Sequence, residues 1–154
     1  MNNFIGKQFF YISRGDNEIL FYCSDGYIWK MYHEQDCCES VYIEDIEGDI
    51  DDLINTDILN AEEVCNRDRD NKEYESVTWT FYRFATLKGY VTIRWIGSSN
   101  GYYSESVDLK ALDSKEECYG LKSDLNYLLS IKGLRSLEGI LYTNHRLAKD
   151  TRCS

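Results

Sequence analysis

The chain has 154 residues, 43% hydrophobic and 14% aromatic, with 17 Lys and Arg against 27 Asp and Glu, a formal charge of −10. This length sets a single domain with its own core as the expectation. The apolar content excludes a disordered chain, and no apolar run approaches the ~18 residues of a membrane span. The charge balance argues against direct binding to nucleic-acid phosphates, which takes a basic face. Residues 1–10 lack the basic-then-apolar order of a secretory signal, so a cytoplasmic protein is expected.

The first hundred residues read as strands. Residues 5–13 are apolar and aromatic, and Gly15-Asp16-Asn17 is turn chemistry. Residues 18–24 lead to Asp25-Gly26, a two-residue hairpin signal, and 27–33 form the partner strand. Residues 40–46 place Val41 and Ile43 on one face at period two. Ile46, Ile50, Leu53 and Ile54 then fall at helical spacing behind Asp49, so a short helix is predicted over 49–55, with Asp49 as N-cap. Residues 57–65 read as a strand, 66–75 as an exposed loop, and 76–87 as an alternating aromatic strand. Lys88-Gly89 turns the chain into a strand at 90–96, and Asn100-Gly101 predicts a hairpin to 102–109.

The tail changes period. Ser114 with Glu117 forms a capping box, and Leu121, Leu125, Leu128 and Leu129 make a helical stripe ending near Gly133. Residues 134–147 fit a second short helix or a strand. The expected architecture is α+β: a mostly antiparallel twisted sheet of seven to eight strands, one short inserted helix and a C-terminal helix. Residues 1–109 form the β-rich core domain, and residues 110–154 a helical extension packed on it.

Charge is concentrated in one stretch. Residues 34–76 carry sixteen acids and three basic groups, whereas 1–33 are balanced and 77–154 are net positive. A solvated face explains such density. The sharper reading is a docking face for a basic protein partner, using Glu39, Glu44, Asp45, Glu47, Asp49, Asp51, Asp52, Glu62 and Glu63. Asp45, Glu47, Asp49 and Asp51 alternate, but Gly48 and Thr56 stand at the wrong places for a calcium-binding loop.

Six cysteines, at 23, 37, 38, 65, 118 and 153, are irregularly spaced, and a reduced intracellular state with buried thiols is expected. His33, Asp36, Cys37 and Cys38 form an H-x-x-D-C-C cluster. Its His and thiol groups suit zinc, with His33, Cys37 and Cys38 as ligands, but the paired spacing of a zinc motif is absent. The expected cofactor is none, with zinc as the alternative. The same histidine and a thiol could form a nucleophile pair, yet no third orienting residue is marked by spacing. No phosphate-loop, dinucleotide, nucleophile-elbow or zinc-protease motif occurs, and no enzyme is expected. Tyr82, Phe84, Tyr90, Trp95, Tyr102 and Tyr103 exceed what one core easily hides. An aromatic patch with Arg83, Arg94, Tyr102 and Tyr103 would stack a nucleotide and hold its phosphate.

Two long motifs carry a family resemblance. One runs from Met31-Tyr32-His33 through Cys37-Cys38-Glu39-Ser40-Val41, Gly48-Asp49 and Asp52-Leu53 to Ala61-Glu62-Glu63. The other joins Thr78-Trp79-Thr80-Phe81-Tyr82, Lys88-Gly89-Tyr90-Val91-Thr92-Ile93-Arg94-Trp95 and Gly97-Ser98-Ser99-Asn100-Gly101-Tyr102-Tyr103-Ser104-Glu105. Over about residues 20–109 the chain resembles a family of small phage and prophage proteins of unassigned function. The resemblance implies a phage-encoded inhibitor of host defence in the cytoplasm of a bacterial host cell. An anti-CRISPR protein is the leading expectation, one that occludes the DNA-binding surface of a Cas9-type nuclease as a DNA mimic. The alternatives are a sponge for an immune signalling nucleotide, as a homo-oligomer, and a structural or zinc-stabilised phage accessory protein. Neither direct nucleic-acid binding nor a membrane partner is expected.

Overall fold

Residues 1–69 and 76–112 are described by a computed structural model of the chain. Within them lie eight strands: β1 (Phe9–Arg14), β2 (Glu18–Cys23), β3 (Ile28–Tyr32), β4 (Glu39–Glu47), β5 (Asn60–Asp68), β6 (Ser76–Thr86), β7 (Gly89–Ser99) and β8 (Asp108–Ala111). They form two antiparallel sheets of four, ordered β1-β2-β3-β8 and β4-β7-β6-β5. Two single 3-10 turns, Asn2–Phe4 and Ile50–Leu53, are the helical segments among the described residues.

This corrects the expected α+β architecture. Alternation locates strands but does not say which sheet each one joins. The stretch expected as a helix over 49–55 is one 3-10 turn, because Leu53 is buried and the chain returns to an extended conformation at Ile54. The expected C-terminal helix, and the segment 134–147, lie outside the described residues. β8 runs to Ala111, so the first sheet continues past the expected core boundary at residue 109.

The sheets face each other across one core. Ile19, Phe21 and Cys23 on β2 and Met31 on β3 meet Val41 on β4, Tyr82 and Phe84 on β6, and Val91, Ile93 and Trp95 on β7. Period-two alternation puts Tyr82 and Phe84 on that face of β6 and leaves Arg83 exposed on the other. Phe4, fully buried in the first turn, wedges between the sheets with its ring 5.4–5.8 Å from those of Phe9, Phe21, Trp29 and Phe84. The Trp95 indole N–H donates to Met31 Sδ at 3.3 Å, tying the sheets at their centre. Main-chain bonds from Gly6 N–H to Ile58 O and from Ile58 N–H to Lys7 O stitch the N-terminus to the segment before β5.

The Phe84 ring is surrounded by Phe4, Phe9 and Phe21 and fully buried. Phe84→Ala should lower stability by about 3–5 kcal/mol. The expected result in urea unfolding is an earlier midpoint at an unchanged slope.

Candidate functional site

The acidic residues separate into three groups. β4 and β5 are opposite edges of their sheet, with β7 and β6 between them. Glu62 and Glu63 stand on β5, Glu62 in register with Arg83 and Glu63 with Tyr82, so neither shares a surface strip with β4. Glu39, at the start of β4, turns inward, its side chain 1% exposed. The remaining six, Glu44, Asp45, Glu47, Asp49, Asp51 and Asp52, follow one another along the β4 edge and into the next turn. All are exposed except the half-buried Asp52.

Local backbone chemistry shapes that edge. The β4–β7 register slips between Ile43 and Asp45, leaving Glu44 as the extra residue of a bulge. The bulge brings both carboxylates to Arg94, whose Nε lies 2.8 Å from Glu44 and Nη2 3.9 Å from Asp45. Gly48 then bends the chain with φ +91°, and a Cβ there would stand 2.7 Å from the Tyr90 carbonyl oxygen. Asp49 caps the 3-10 turn by accepting from the Asp51 amide at 3.0 Å, so the expected capping role holds on a shorter element.

A second feature is the strap formed by residues 100–107, where the sequence predicts a hairpin turn at Asn100-Gly101 and a strand over 102–109. It instead crosses the inner face of β6 and β7 before entering the other sheet as β8. Gly97 makes room: a Cβ on it would lie 2.7 Å from the Glu105 carbonyl oxygen and 2.9 Å from the Glu105 Cβ. The Glu105 side chain is buried, and each carboxyl oxygen receives one hydroxyl, from Thr78 at 2.5 Å and Ser99 at 2.6 Å. Between the strap and β5–β6 opens a shallow trough of about 550 Å³, whose lining includes Glu63, Cys65, Arg67, Thr80 and Tyr102. The Tyr82 phenol, in register with Glu63, is buried, and burial, then the neighbouring Glu63, holds it above its ordinary range.

The strap also receives the 33–38 loop. His33 Nδ1 lies 2.7 Å from the Ser106 carbonyl oxygen and so donates to it, while Nε2 faces Glu39 Oε1 at 3.4 Å. The Glu39 carboxylate further accepts the amides of Asp36 and Cys38. The Asp36 amide, ahead of His33 and Cys38, holds the Glu39 carboxyl below the usual carboxylate range. His33, Cys37 and Cys38 thus share one loop but are not arranged as a ligand set. Among the described residues no group of three or more His, Cys, Asp or Glu could hold a metal ion. Neither ring nitrogen has a sulfur as its partner, which leaves the nucleophile-pair reading without its hydrogen bond.

The nucleotide quartet is divided as well. Arg83 and Arg94 project from the outer face of β6–β7, in register with Thr92 and Phe81, whereas Tyr102 and Tyr103 belong to the strap on the inner side. Tyr102 is 88% exposed; of the other aromatics, Tyr82, Phe84 and Trp95 are core, while Tyr90 is 70% exposed. Cys23 is buried, and burial pushes its thiol up to about 12, but Cys37, Cys38 and Cys65 are exposed, against the expectation of buried thiols. Sequence reasoning missed Glu105 and Gly97; the G-S-S-N-G run masked them by matching a hairpin.

Two measurements check this geometry. Gly97→Ala should push the strap off the sheet and lower stability by about 1–3 kcal/mol in urea unfolding. The depressed Glu39 carboxyl contributes stability above the ordinary glutamate value, roughly pH 4.3. That contribution is lost as pH falls through the lower folded-state value. Glu39→Gln should therefore show a flatter acid limb than the native chain in stability measured against pH.

Among the described residues no helix is long and apolar enough to cross a membrane. No curated protein and no solved structure matches the chain. The model of one family, a domain of unknown function, matches residues 2–109, which takes in all of the described strands except the end of β8. The chain belongs to that family, DUF7448.

Proposed function

We propose that this protein acts by binding without turnover: the acidic edge of β4 and its following turn occupies a basic, nucleic-acid-binding surface of a protein partner. The observation behind this reading is the run of six carboxylates from Glu44 to Asp52 along one sheet edge and the turn that follows it, with Arg94 as its paired cation among the described residues. Carboxylates accept the arginine and lysine donors that otherwise hold phosphates. Complementary charge of this kind speeds encounter and makes association salt-sensitive. The motif resemblance to phage proteins directs the target class to bacterial host defence, with a Cas9-type nuclease as the first partner to test. The nucleotide-sponge alternative is less well supported, since its arginines and tyrosines lie on different sides of the sheet.

The test is competition binding: labelled protein titrated with a Cas9–guide complex, with and without target DNA. Binding that DNA abolishes supports the reading; no binding at micromolar protein rejects this partner. The triple variant Glu47→Gln, Asp51→Asn, Asp52→Asn leaves the Asp49 cap in place. It should weaken binding at least about tenfold, roughly 1.4 kcal/mol, with a shallower salt dependence. Unchanged affinity would remove the β4 edge from the mechanism.

A further inference from the structure

Cys37 and Cys38 are adjacent in sequence, both exposed, and their sulfurs lie 3.0 Å apart. That is about one ångström beyond a covalent S–S bond of roughly 2.05 Å. Neighbouring side chains usually diverge; here the Glu39 carboxylate gathers the Asp36 and Cys38 amides, curling the loop so that the two thiols converge. Tyr103 of the strap completes the cluster, its hydroxyl 3.1 Å from the Cys37 sulfur.

The three groups are not equivalent. The Cys38 thiol is held above its ordinary value, first by its hydrogen bond to Cys37. The Tyr103 phenol is held above its range by the same sulfur. The Cys37 sulfur lies within hydrogen-bond reach of both the Cys38 sulfur and the Tyr103 oxygen, its own S–H donating to the tyrosine. Once that proton is lost, the sulfur can instead accept from both neighbouring groups, and the thiolate is the nucleophilic form of cysteine.

We propose that Cys37 and Cys38 form a redox modification site, a vicinal dithiol that closes reversibly to a disulfide by exchange with low-molecular-weight disulfides. The Cys37 thiolate attacks one sulfur of the small disulfide, forming a mixed disulfide and expelling one small thiolate. Cys38, giving its proton to that thiolate, then attacks the Cys37 sulfur. The bond to the small thiol breaks, and a second small thiolate leaves. Two protein thiols are oxidised and one small disulfide is reduced to two thiols. Adjacent Cα atoms are about 3.8 Å apart, shorter than the roughly 4.4–6.8 Å of ordinary disulfides. The closed ring is therefore strained and readily reduced, as labile regulatory disulfides are. Closure also ends the Cys37–Tyr103 hydrogen bond, which couples the redox state to the strap.

The experiment treats the full native chain with oxidised glutathione, alkylates the remaining thiols and maps the peptides by mass without reduction. The expected product lacks two hydrogens at Cys37–Cys38, leaves Cys65 alkylated and returns to the dithiol with excess reduced glutathione. Cys38→Ser should stop at a persistent glutathione adduct on Cys37, and Tyr103→Phe should slow the first step several-fold. A persistent adduct on either cysteine of the native chain would overturn the proposal, as would alkylation of both after Cys65 has reacted.

Discussion

The buried carboxylate of Glu105 holds this molecule's second half together. Its two oxygens take the hydroxyls of Thr78 and Ser99, on neighbouring strands of one sheet, and so pin the strap that leads into the other. A polar group removed from water is costly unless it is paired, and here each oxygen has a donor. The absent side chain at Gly97 lets the strap lie close enough for those bonds to form. From this anchor follow the contacts of Ser106 with His33 and of Tyr103 with Cys37, and so the placement of the 33–38 loop. A hydrophobic core of the two facing sheets would exist without Glu105, but the loop chemistry depends on it.

The acidic edge has a different origin. A free edge strand exposes unpaired backbone groups, and charged side chains with a bulge bar the addition of another strand. β4 has both, since Glu44 forms the bulge and Asp45 and Glu47 flank it. The same carboxylates that keep the edge open leave a surface suited to arginine and lysine. Protection of the edge and the proposed recognition of a basic partner draw on one set of residues. The bulge and the Gly48 bend aim them outward together.

Much of the fold was legible in the sequence, because alternation and turn chemistry are local. Asp25-Gly26 and Lys88-Gly89 do close hairpins, and the strands of 76–99 run as the pattern of Thr80, Tyr82 and Phe84 against Arg83 indicates. Long-range pairing was not legible. β8 joins β3 across some eighty residues, and no local signal marks that. Asn100-Gly101 carried a hairpin signal that tertiary contacts at Gly97 and Glu105 override. The 49–55 segment had helical spacing but too few residues before Leu53 met the core. Carboxylate density was plain in the chain, yet only sheet order shows that β4 and β5 lie at opposite edges. The convergence of Cys37 and Cys38 needed the inward turn of Glu39, which a lone glutamate in an acidic stretch does not announce.

The claim that one buried carboxylate organises both loops is tested most directly by hydrogen exchange on the full chain, native against Glu105→Ala. The account predicts that amide protection falls together in residues 100–107 and 33–38, while residues 19–23 in the core strand β2 keep theirs. Protection lost in the strap alone, or unchanged in both loops, would contradict it.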